Sequence, residues 1–411
     1  MEIEIYGMGY VGLTLAIFMA NKGIKVYGYE KDKIKVSELK KGITEIKEDH
    51  ILKLLSSLQK TGMLEIRNVE DEISDSLISI ITLGTPINKM TKKINEKPIF
   101  DLCRDISKKK SKTIVLRSTV YVGFTNLLRE KFPNLKFVFA PERTIEGEAI
   151  KELQNLPQII ASEDEDSRKM VNELFKKCNV ETIETNDLKQ GELAKLACNT
   201  YRDYQFAYFN ALACICDELD ISVKETIEIA SKGYTRFPKG IPGPVSGPCL
   251  TKDTYILSSN LDDKNEGIKL IKNSRSMNEN VIGDVIKKIK KMNAKSILII
   301  GTSFKSKPET SDSRESHTIE IINKLKKEGI EVEIYDPYAD VIYQSFSENY
   351  TQSLNIDNKD LIYIGACPNW VKELVKNNKS ALENKHIYWA YDADVIENIG
   401  KNVTYGNPIS K

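Results

Sequence analysis

The chain has 411 residues, too many for a single ordinary core, because such cores stop growing at about 250 to 300 residues, so two or three domains are expected. Its 60 basic and 59 acidic side chains leave a net charge of +1, a balance that excludes a general demand for a polyanionic partner such as nucleic acid. The lysine-rich run at 108–112 reads as a solvated face.

Glu2-Ile3-Glu4-Ile5-Tyr6 alternates as a strand and breaks at glycines. Leu13 to Met19 continues with helical character until Gly23, and Ile24 to Tyr29 forms the next strand, which makes a βαβ unit. The acidic Glu2 and Glu4 and the glycines that follow argue against an export signal. Further strands are predicted at Leu77 to Leu83, Thr113 to Leu116, Phe137 to Ala140 and Gln158 to Ala161, with amphipathic stretches between most of them. That alternation predicts a doubly wound parallel sheet over residues 1–186. From about Asp187 the texture changes. Leu188 to Ser231 has no proline and predicts a long helix with its neighbours, a proline and glycine cluster runs from Pro238 to Pro248, and helical patterns resume from Tyr255 to Lys291. Residues 187–291 thus read as a helical domain. Strand Ser296 to Ile300, helix Thr318 to Glu328, strand Ile330 to Asp336 and strand Leu361 to Ile364 then predict a second α/β domain over 292–411.

No stretch reaches the roughly 18 apolar residues of a membrane helix, so a soluble protein is expected. Seven cysteines, at 103, 178, 198, 214, 216, 249 and 367, are an odd number without C-x-x-C pairs, which predicts reduced thiols in a cytoplasm and neither a disulfide framework nor a zinc site. The three histidines, His50, His317 and His386, lie near no recognisable motif, which disfavours a Ser/His/Asp hydrolase or a histidine-rich metal enzyme.

Gly7-Met8-Gly9-Tyr10-Val11-Gly12 follows a strand and opens a helix, so backbone N–H groups at the helix start can approach a pyrophosphate. Glu30 ends the next strand, where a carboxylate can accept hydrogen bonds from an adenosine ribose and would repel a 2′-phosphate, favouring NAD over NADP. Lys31 and Lys33 temper that preference, and Lys35 is assigned to the same cofactor site. Gly84-Thr85-Pro86 and Ser118-Thr119-Val120 sit at carboxyl ends of strands, where open parallel sheets bind ligands. Singly, each is an ordinary turn. Pro141-Glu142-Arg143-Thr144-Ile145-Glu146-Gly147 brings two carboxylates and a guanidinium to the same edge, and alone reads as a solvated loop.

Gly247-Pro248-Cys249-Leu250-Thr251-Lys252-Asp253 is the most informative segment. A cysteine in a Gly/Pro-rich loop leading into a helix can have its thiolate favoured by the helix N-terminus, and Asp253 can position water. The other six cysteines read as core packing. Glu192, Lys195, Asn199 and Arg202 share one helix face, which either is wet or lines a site; considered alone it reads as wet.

In combination these segments resemble the UDP-glucose/GDP-mannose dehydrogenase family, in order and over nearly the whole chain. The family's G-x-G-Y-V-G-L, G-T-P, S-T-V and P-E appear at Gly7–Leu13, Gly84–Pro86, Ser118–Val120 and Pro141-Glu142. Its E-x-x-K-x-x-x-N appears as Glu192, Lys195 and Asn199, and its F-K and D-x-R-E-S as Phe304-Lys305 and Asp312–Ser316. The cysteine loop matches except that Ser246 replaces its first glycine. The resemblance implies two Rossmann-like doubly wound domains joined by a central helical domain. It further implies a metal-free four-electron oxidation of a sugar C6 alcohol that consumes two NAD through a thiohemiacetal and a thioester on Cys249.

By the same resemblance Lys195 and Asn199 would hold the developing oxyanion, and Asp253, Glu142 and Thr119 would hold water and relay protons. Gly7, Gly9, Tyr10, Val11, Gly12, Glu30, Gly84, Thr85 and Thr119 would bind NAD. Glu142, Glu146, Lys195, Asn199, Gly247, Lys305 and Arg314 would contact a UDP-sugar. Arg236 would reach the neighbouring subunit's site in a homodimer built on the long helix. The Lys252-Asp253 pair looks like the UDP-glucose branch, and Arg143 with Pro242-Gly243-Pro244 like the N-acetylhexosamine branch, so the two stand nearly even. Either product would be a uronic-acid precursor of a polysaccharide. A silent NAD- or sugar-nucleotide-binding regulator and a two-electron hydroxyacid dehydrogenase are the competing readings.

Overall fold

The computed structural model describes the chain except residues 47, 49, 72, 73, 75, 109–111, 339–348, 352, 392–394, 397, 398 and 408–411. The described residues fall into two compact units, Met1–Cys198 with Tyr255–Asp262, and Asn199–Thr254 with Asp263–Lys411.

In the first unit the elements are β1 (Glu2–Tyr6), α1 (Tyr10–Asn21), β2 (Lys25–Glu30), α2 (Lys33–Lys40), α3 (Ile51–Lys60), β3 (Leu64–Asn68), β4 (Ile78–Ile81) and α4 (Lys97–Ser107). They continue as β5 (Thr113–Leu116), α5 (Phe124–Lys131), β6 (Lys136–Phe139), α6 (Ala149–Asn155), β7 (Gln158–Ala161), α7 (Glu165–Lys177) and β8 (Thr182–Thr185). The sheet order is β3-β2-β1-β4-β5-β6-β7-β8. Strands β4 and β5 are buried along their whole length, which is why they read as apolar runs, whereas β1 alternates because the buried Glu4 stands between Ile3 and Ile5. Strand order reverses between β1 and β4, and the glycine loop after β1 and Gly84-Thr85-Pro86 after β4 therefore both border the switch point where such sheets bind ligands.

The sheet is mostly, not wholly, parallel: β7 runs antiparallel to β6, meeting it at Phe139 and Ala161, and β8 runs parallel to β7. Strand β7 begins beside the residues that follow β6: Gln158 donates to the Pro141 carbonyl at 3.1 Å and accepts from Arg117 at 2.7 Å, so β7 starts at the carboxyl edge of β6 and runs back along it. Strands β3 and β8 were not predicted. LEIRN and TIET are short and lack an apolar run, and in β8 the middle residues Ile183 and Glu184 are exposed.

The second unit is entered through α8 (Leu188–Leu219), a helix of 32 residues that starts in the first unit. The stretch predicted as one helical region ends there because Asp220 takes a left-handed conformation (φ +53°) and the Ser222 hydroxyl accepts the Glu225 N–H at 3.2 Å, starting α9 (Val223–Ser231). Next come α10 (Leu250–Ser258), which crosses back into the first unit, and α11 (Glu266–Lys291), capped by Asn265 and closed by Lys288, Lys290 and Lys291. Strand β9 (Ser296–Ile300), α12 (His317–Lys327), β10 (Glu331–Tyr335), β11 (Leu361–Ile364), α13 (Asn369–Asn377), α14 (Lys379–Leu382), β12 (His386–Trp389) and β13 (Lys401–Thr404) follow in this unit among the described residues. Its sheet, β10-β9-β11-β12-β13, is parallel throughout.

Lys112 corrects the reading of the lysine run. Residues 109–111 lie outside the described ones, and Lys108 is exposed, but Lys112 is buried against Glu4 of β1 with its Nζ 3.0 Å from both carboxylate oxygens. Burial of a charge at this cost requires such a partner. Among the described residues no helix is long and apolar enough to cross a membrane.

Candidate active site

In the first unit the glycine loop is shaped by steric necessity. A Cβ on Gly12 would lie 1.8 Å from the Gly7 carbonyl oxygen, and Gly7 itself has φ +95°. Around Gly9, the residue before α1, a Cβ would meet nothing within 4 Å, so that side of the helix start is open to an anion's approach. The Thr82 hydroxyl at the end of β4 donates to the carbonyls of Tyr6 and Gly7 at 2.9 and 2.8 Å, tying the loop to the neighbouring strand. Glu30 ends β2 and accepts the Met8 N–H at 3.0 Å, which holds its carboxylate against the loop where a ribose diol is expected. These features fit a dinucleotide. Lys35 lies on α2 with its ammonium 3.7 Å from Glu45, and its backbone N–H is accepted by the α2 cap Asp32.

The strand-end loops are stitched together. Thr85 donates its hydroxyl to the Thr119 carbonyl at 2.7 Å, and Ser118 donates to the Leu83 carbonyl at 2.7 Å. A Cβ on Gly84 would again meet open space. In the 141–147 loop the Glu142 carboxylate accepts Arg117 Nε and Nη2 at 3.1 and 2.7 Å and the N–H groups of Arg143 and Thr144 at 2.8 and 2.7 Å. Burial alone would push this carboxyl up, but Arg117 and the Thr144 N–H outweigh it and hold it below its ordinary value. With those four acceptor directions taken, Glu142 is an anchored carboxylate. Beside Glu146, the Gly147 N–H is accepted by the Tyr10 hydroxyl at 2.7 Å and by Glu48 at 2.8 Å, so Tyr10 links the start of α1 to this loop.

The helix face that read as wet is buried. Glu192, Lys195 and Asn199 on α8 are 0%, 6% and 8% exposed, and only Arg202 is exposed as expected. Glu192 accepts the N–H groups of Gly123 and Thr125 at 2.5 and 2.8 Å and the Thr125 hydroxyl at 2.6 Å, so it terminates the start of α5.

In the second unit Cys249 immediately precedes α10. Its carbonyl accepts the N–H groups of Lys252 and Asp253 at 3.2 and 3.0 Å, and its side chain is exposed. Cys198, read as core packing, is exposed as well. The Lys252 ammonium is 2.9 Å from Asp253, and Asn199 donates to the other Asp253 oxygen at 2.6 Å. Burial would lower Lys252, but the charges of Asp253 and Cys249 outweigh it and raise it. A lasting positive charge thus stands beside the sulfur at a helix N-terminus, the surroundings that favour a thiolate.

The cysteine loop packs on the segment carrying Lys305 and Arg314. A Cβ on Gly247 would lie 2.7 Å from the Phe304 ring, and the Gly247 N–H donates to the Glu315 carbonyl at 3.0 Å. Lys305 Nζ lies over the Phe304 ring, and the exposed Arg314 guanidinium holds the Asp312 carboxylate at 2.5 to 3.0 Å. Arg236 sits in an exposed stretch with its guanidinium over Tyr234.

Three participants escaped the sequence reading: Thr82, Arg117 and His317. Lys252 was quoted in the cysteine-loop motif but given no role in the site, and Arg117 adjoins the S-T-V motif, so adjacency was the available signal. His317 directly follows Asp312–Ser316, contrary to the reading that no histidine lies near a motif. Its Nδ1 is 2.6 Å from the Ser246 hydroxyl.

Three domain profiles of one family match the chain in order: the NAD binding domain of the UDP-glucose/GDP-mannose dehydrogenase family at residues 1–179, its central domain at 189–280 and its UDP binding domain at 298–388. A UDP-N-acetyl-D-mannosamine dehydrogenase of Methanocaldococcus jannaschii is 30% identical over 94% of this chain and 91% of its own. A UDP-N-acetyl-D-glucosamine 6-dehydrogenase of Salmonella typhi is 28% identical over 82% and 83%. The solved UDP-D-ManNAc dehydrogenase of Pyrococcus horikoshii superposes with a TM-score of 0.85 over 99% of both chains at 25% identity. The chain belongs to the UDP-glucose/GDP-mannose dehydrogenase family and is an oxidoreductase, an NAD-dependent nucleotide-sugar dehydrogenase.

Proposed function

We propose that the chain oxidises the C6 alcohol of a UDP-N-acetylhexosamine, N-acetylmannosamine first among them, to the uronic acid, a polysaccharide precursor. The substrate branch, which the sequence left even, is supported by relatives named for N-acetylmannosamine and N-acetylglucosamine derivatives. One observation carries the chemistry: an exposed Cys249 at the start of α10 beside the Lys252-Asp253-Asn199 chain of hydrogen bonds.

NAD, when bound, supplies the hydride acceptor, twice per sugar. The Cys249 thiolate adds to the C6 aldehyde carbon, forming a C–S bond, and the former carbonyl oxygen takes up a proton. Loss of hydride and proton leaves a thioester, and water cleaves the C–S bond to give carboxylate and thiol. The sum is alcohol, two NAD and water giving carboxylate, two NADH and three protons. Lys195, one helical turn before Asn199 on α8, is assigned to hold the oxyanion together with Asn199. Proton relay falls to Asp253 and Thr119, with Glu142 serving as the anchor of the loop that presents Glu146. Lys305, Arg314 and Gly247 are assigned to the UDP-sugar.

The test is NADH formation with UDP-N-acetylmannosamine, UDP-N-acetylglucosamine, UDP-glucose and GDP-mannose. The expected result is about two NADH per N-acetylhexosamine consumed, with kcat/KM at least about tenfold above that for UDP-glucose, a discrimination of about 1.4 kcal/mol. Oxidation of UDP-glucose alone would overturn the substrate assignment, and four inert sugars with intact NAD binding would favour a silent binder.

A homodimer is proposed on α8, where Tyr201, Tyr204, Tyr208, Ile215 and Leu219 are 40% to 61% exposed along one stretch of helix, an apolar stripe suited to a second copy. If Arg236 serves the partner's site, Arg236→Ala and Cys249→Ala are each inactive, yet their exchanged mixture regains about a quarter of normal activity, since half the dimers are mixed and each has one complete site. A mixture as inactive as its components would refute the shared site.

A further inference from the structure

Ser246 stands where the family pattern has glycine, and the structure gives that serine a partner. Its hydroxyl accepts the backbone N–H of His317 at 2.8 Å and lies 2.6 Å from Nδ1 of the same residue. A hydroxyl has one proton to give, so accepting from the backbone and donating to Nδ1 satisfies both contacts and leaves the ring proton on Nε2. His317 is 2% exposed and is the first residue of α12. Burial holds its imidazole down at about 4, so Nδ1 remains an acceptor throughout the neutral range. The ring meets Tyr391 edge-on at 5.6 Å, and the Tyr391 hydroxyl donates to the Pro244 carbonyl at 2.6 Å. The next loop residue, Gly247, donates its N–H to Glu315 at 3.0 Å and has no room for a side chain against Phe304. Asn210 of α8 closes the other end, exchanging two hydrogen bonds with the Gly243 backbone at 2.7 and 3.1 Å.

We propose that Ser246 and His317 form a positioning pair that fixes the Cys249 loop to the turn carrying Arg314, so that the part of the chain assigned to the sugar nucleotide and the part assigned to the nucleophile hold a single register. Cys249 is three residue steps from Ser246, a reach of about 10 Å, so slack at Ser246 is passed directly to the sulfur. The pair touches no reacting atom. Its effect is on where the thiol stands, and displacement of a reacting group by about 1 Å costs on the order of a hundredfold in rate.

This inference rests on the proposed function for its kinetic arm but not for its exchange arm. In His317→Phe the ring volume and the Tyr391 contact survive and the acceptor is lost; in His317→Asn the side-chain oxygen stands near the Nδ1 position and can still accept from Ser246. The expected pattern is a kcat about 10- to 100-fold lower in His317→Phe and Ser246→Ala with KM within about twofold, and near-normal kcat in His317→Asn. The first NADH should form at the usual rate and the second slowly, because only the second requires the thiol adduct; a general packing defect would not separate them. Without any sugar, amide exchange in the peptide 244–250 should rise at least about tenfold in Ser246→Ala and His317→Phe and stay near wild type in His317→Asn. Equal exchange in all variants overturns the pair whatever the enzyme oxidises. Faster exchange with both hydride transfers unchanged overturns its positioning role. A wild type that oxidises no nucleotide sugar removes the proposed function and leaves the exchange result to decide the pair. Should His317→Phe fail to fold, Ser246→Gly, which removes the same hydroxyl, carries the same expectations.

Discussion

Cys249→Ala is expected to release one NADH per active site and then to turn over at least about a thousandfold more slowly than wild type, the scale of loss seen when a catalytic nucleophile is removed. The reason is the order of the chemistry. Oxidation of the alcohol to the aldehyde needs a hydride acceptor and a base, and nothing in it touches sulfur. The second oxidation needs a tetrahedral carbon bearing both hydrogen and a leaving group that will later yield to water, which the thiol addition supplies. The placement of Cys249 ahead of α10, with Lys252 beside it and Asp253 held between Lys252 and Asn199, supports that assignment. Rapid mixing with the preferred sugar and quantification of NADH per site checks it. Two equivalents from the alanine variant would show that the carboxylate forms without a cysteine adduct, and the proposed mechanism would have to be abandoned.

The fold was legible where a single physical signal dominated. Apolar runs gave β4 to β7 of the first sheet and β9 and β11 of the second because those strands are buried, and the lack of proline gave α8. Strands β3, β8 and β13 were missed at sheet ends, where few apolar residues are needed, and the four-residue β12 was missed inside its sheet. The antiparallel direction of β7 was missed because it is set by where the strand begins, and that depends on Arg117 holding Gln158 across 41 positions of sequence. The site was legible at its glycines and its cysteine, whose requirements are local. Lys195 and Asn199 were reached only through the family's E-x-x-K-x-x-x-N pattern, because their helix face considered alone looked wet, as polar side chains on a helix usually are; His317 was missed, its partner Ser246 being 71 residues away. Long-range polar pairs leave no periodic trace, so neither propensity nor spacing reveals them.

Lys112→Met is expected to destabilise the first unit by about 3 to 5 kcal/mol, as breaking a buried ion pair from one side does. Glu4 is 0% exposed, accepts Lys112 through both oxygens at 3.0 Å and also receives Ser74 and Ser79 at 2.7 and 2.6 Å. Methionine fills the volume of the lysine stem and removes the charge together with the hydrogen bond from Nζ to the Ser74 carbonyl, so the loss measures uncompensated buried polar groups, the Glu4 carboxylate first, and not a cavity. Adding Glu4→Gln should restore more than half of the loss, because the second charge disappears while the amide oxygen still accepts from one of the two serines and the amide NH2 can donate to the hydroxyl oxygen of the other. Urea unfolding followed by far-ultraviolet circular dichroism reads the effect. Both tryptophans, Trp370 and Trp389, belong to the second unit, so their fluorescence separates it from the first. A dichroism midpoint unmoved by Lys112→Met, or a double variant no better than the single, would mean that the pair adds nothing to holding β1. Two residues beyond Glu4, Tyr6 ends that strand and the glycine loop begins. The buried ion pair therefore secures the strand from which the cofactor loop is hung.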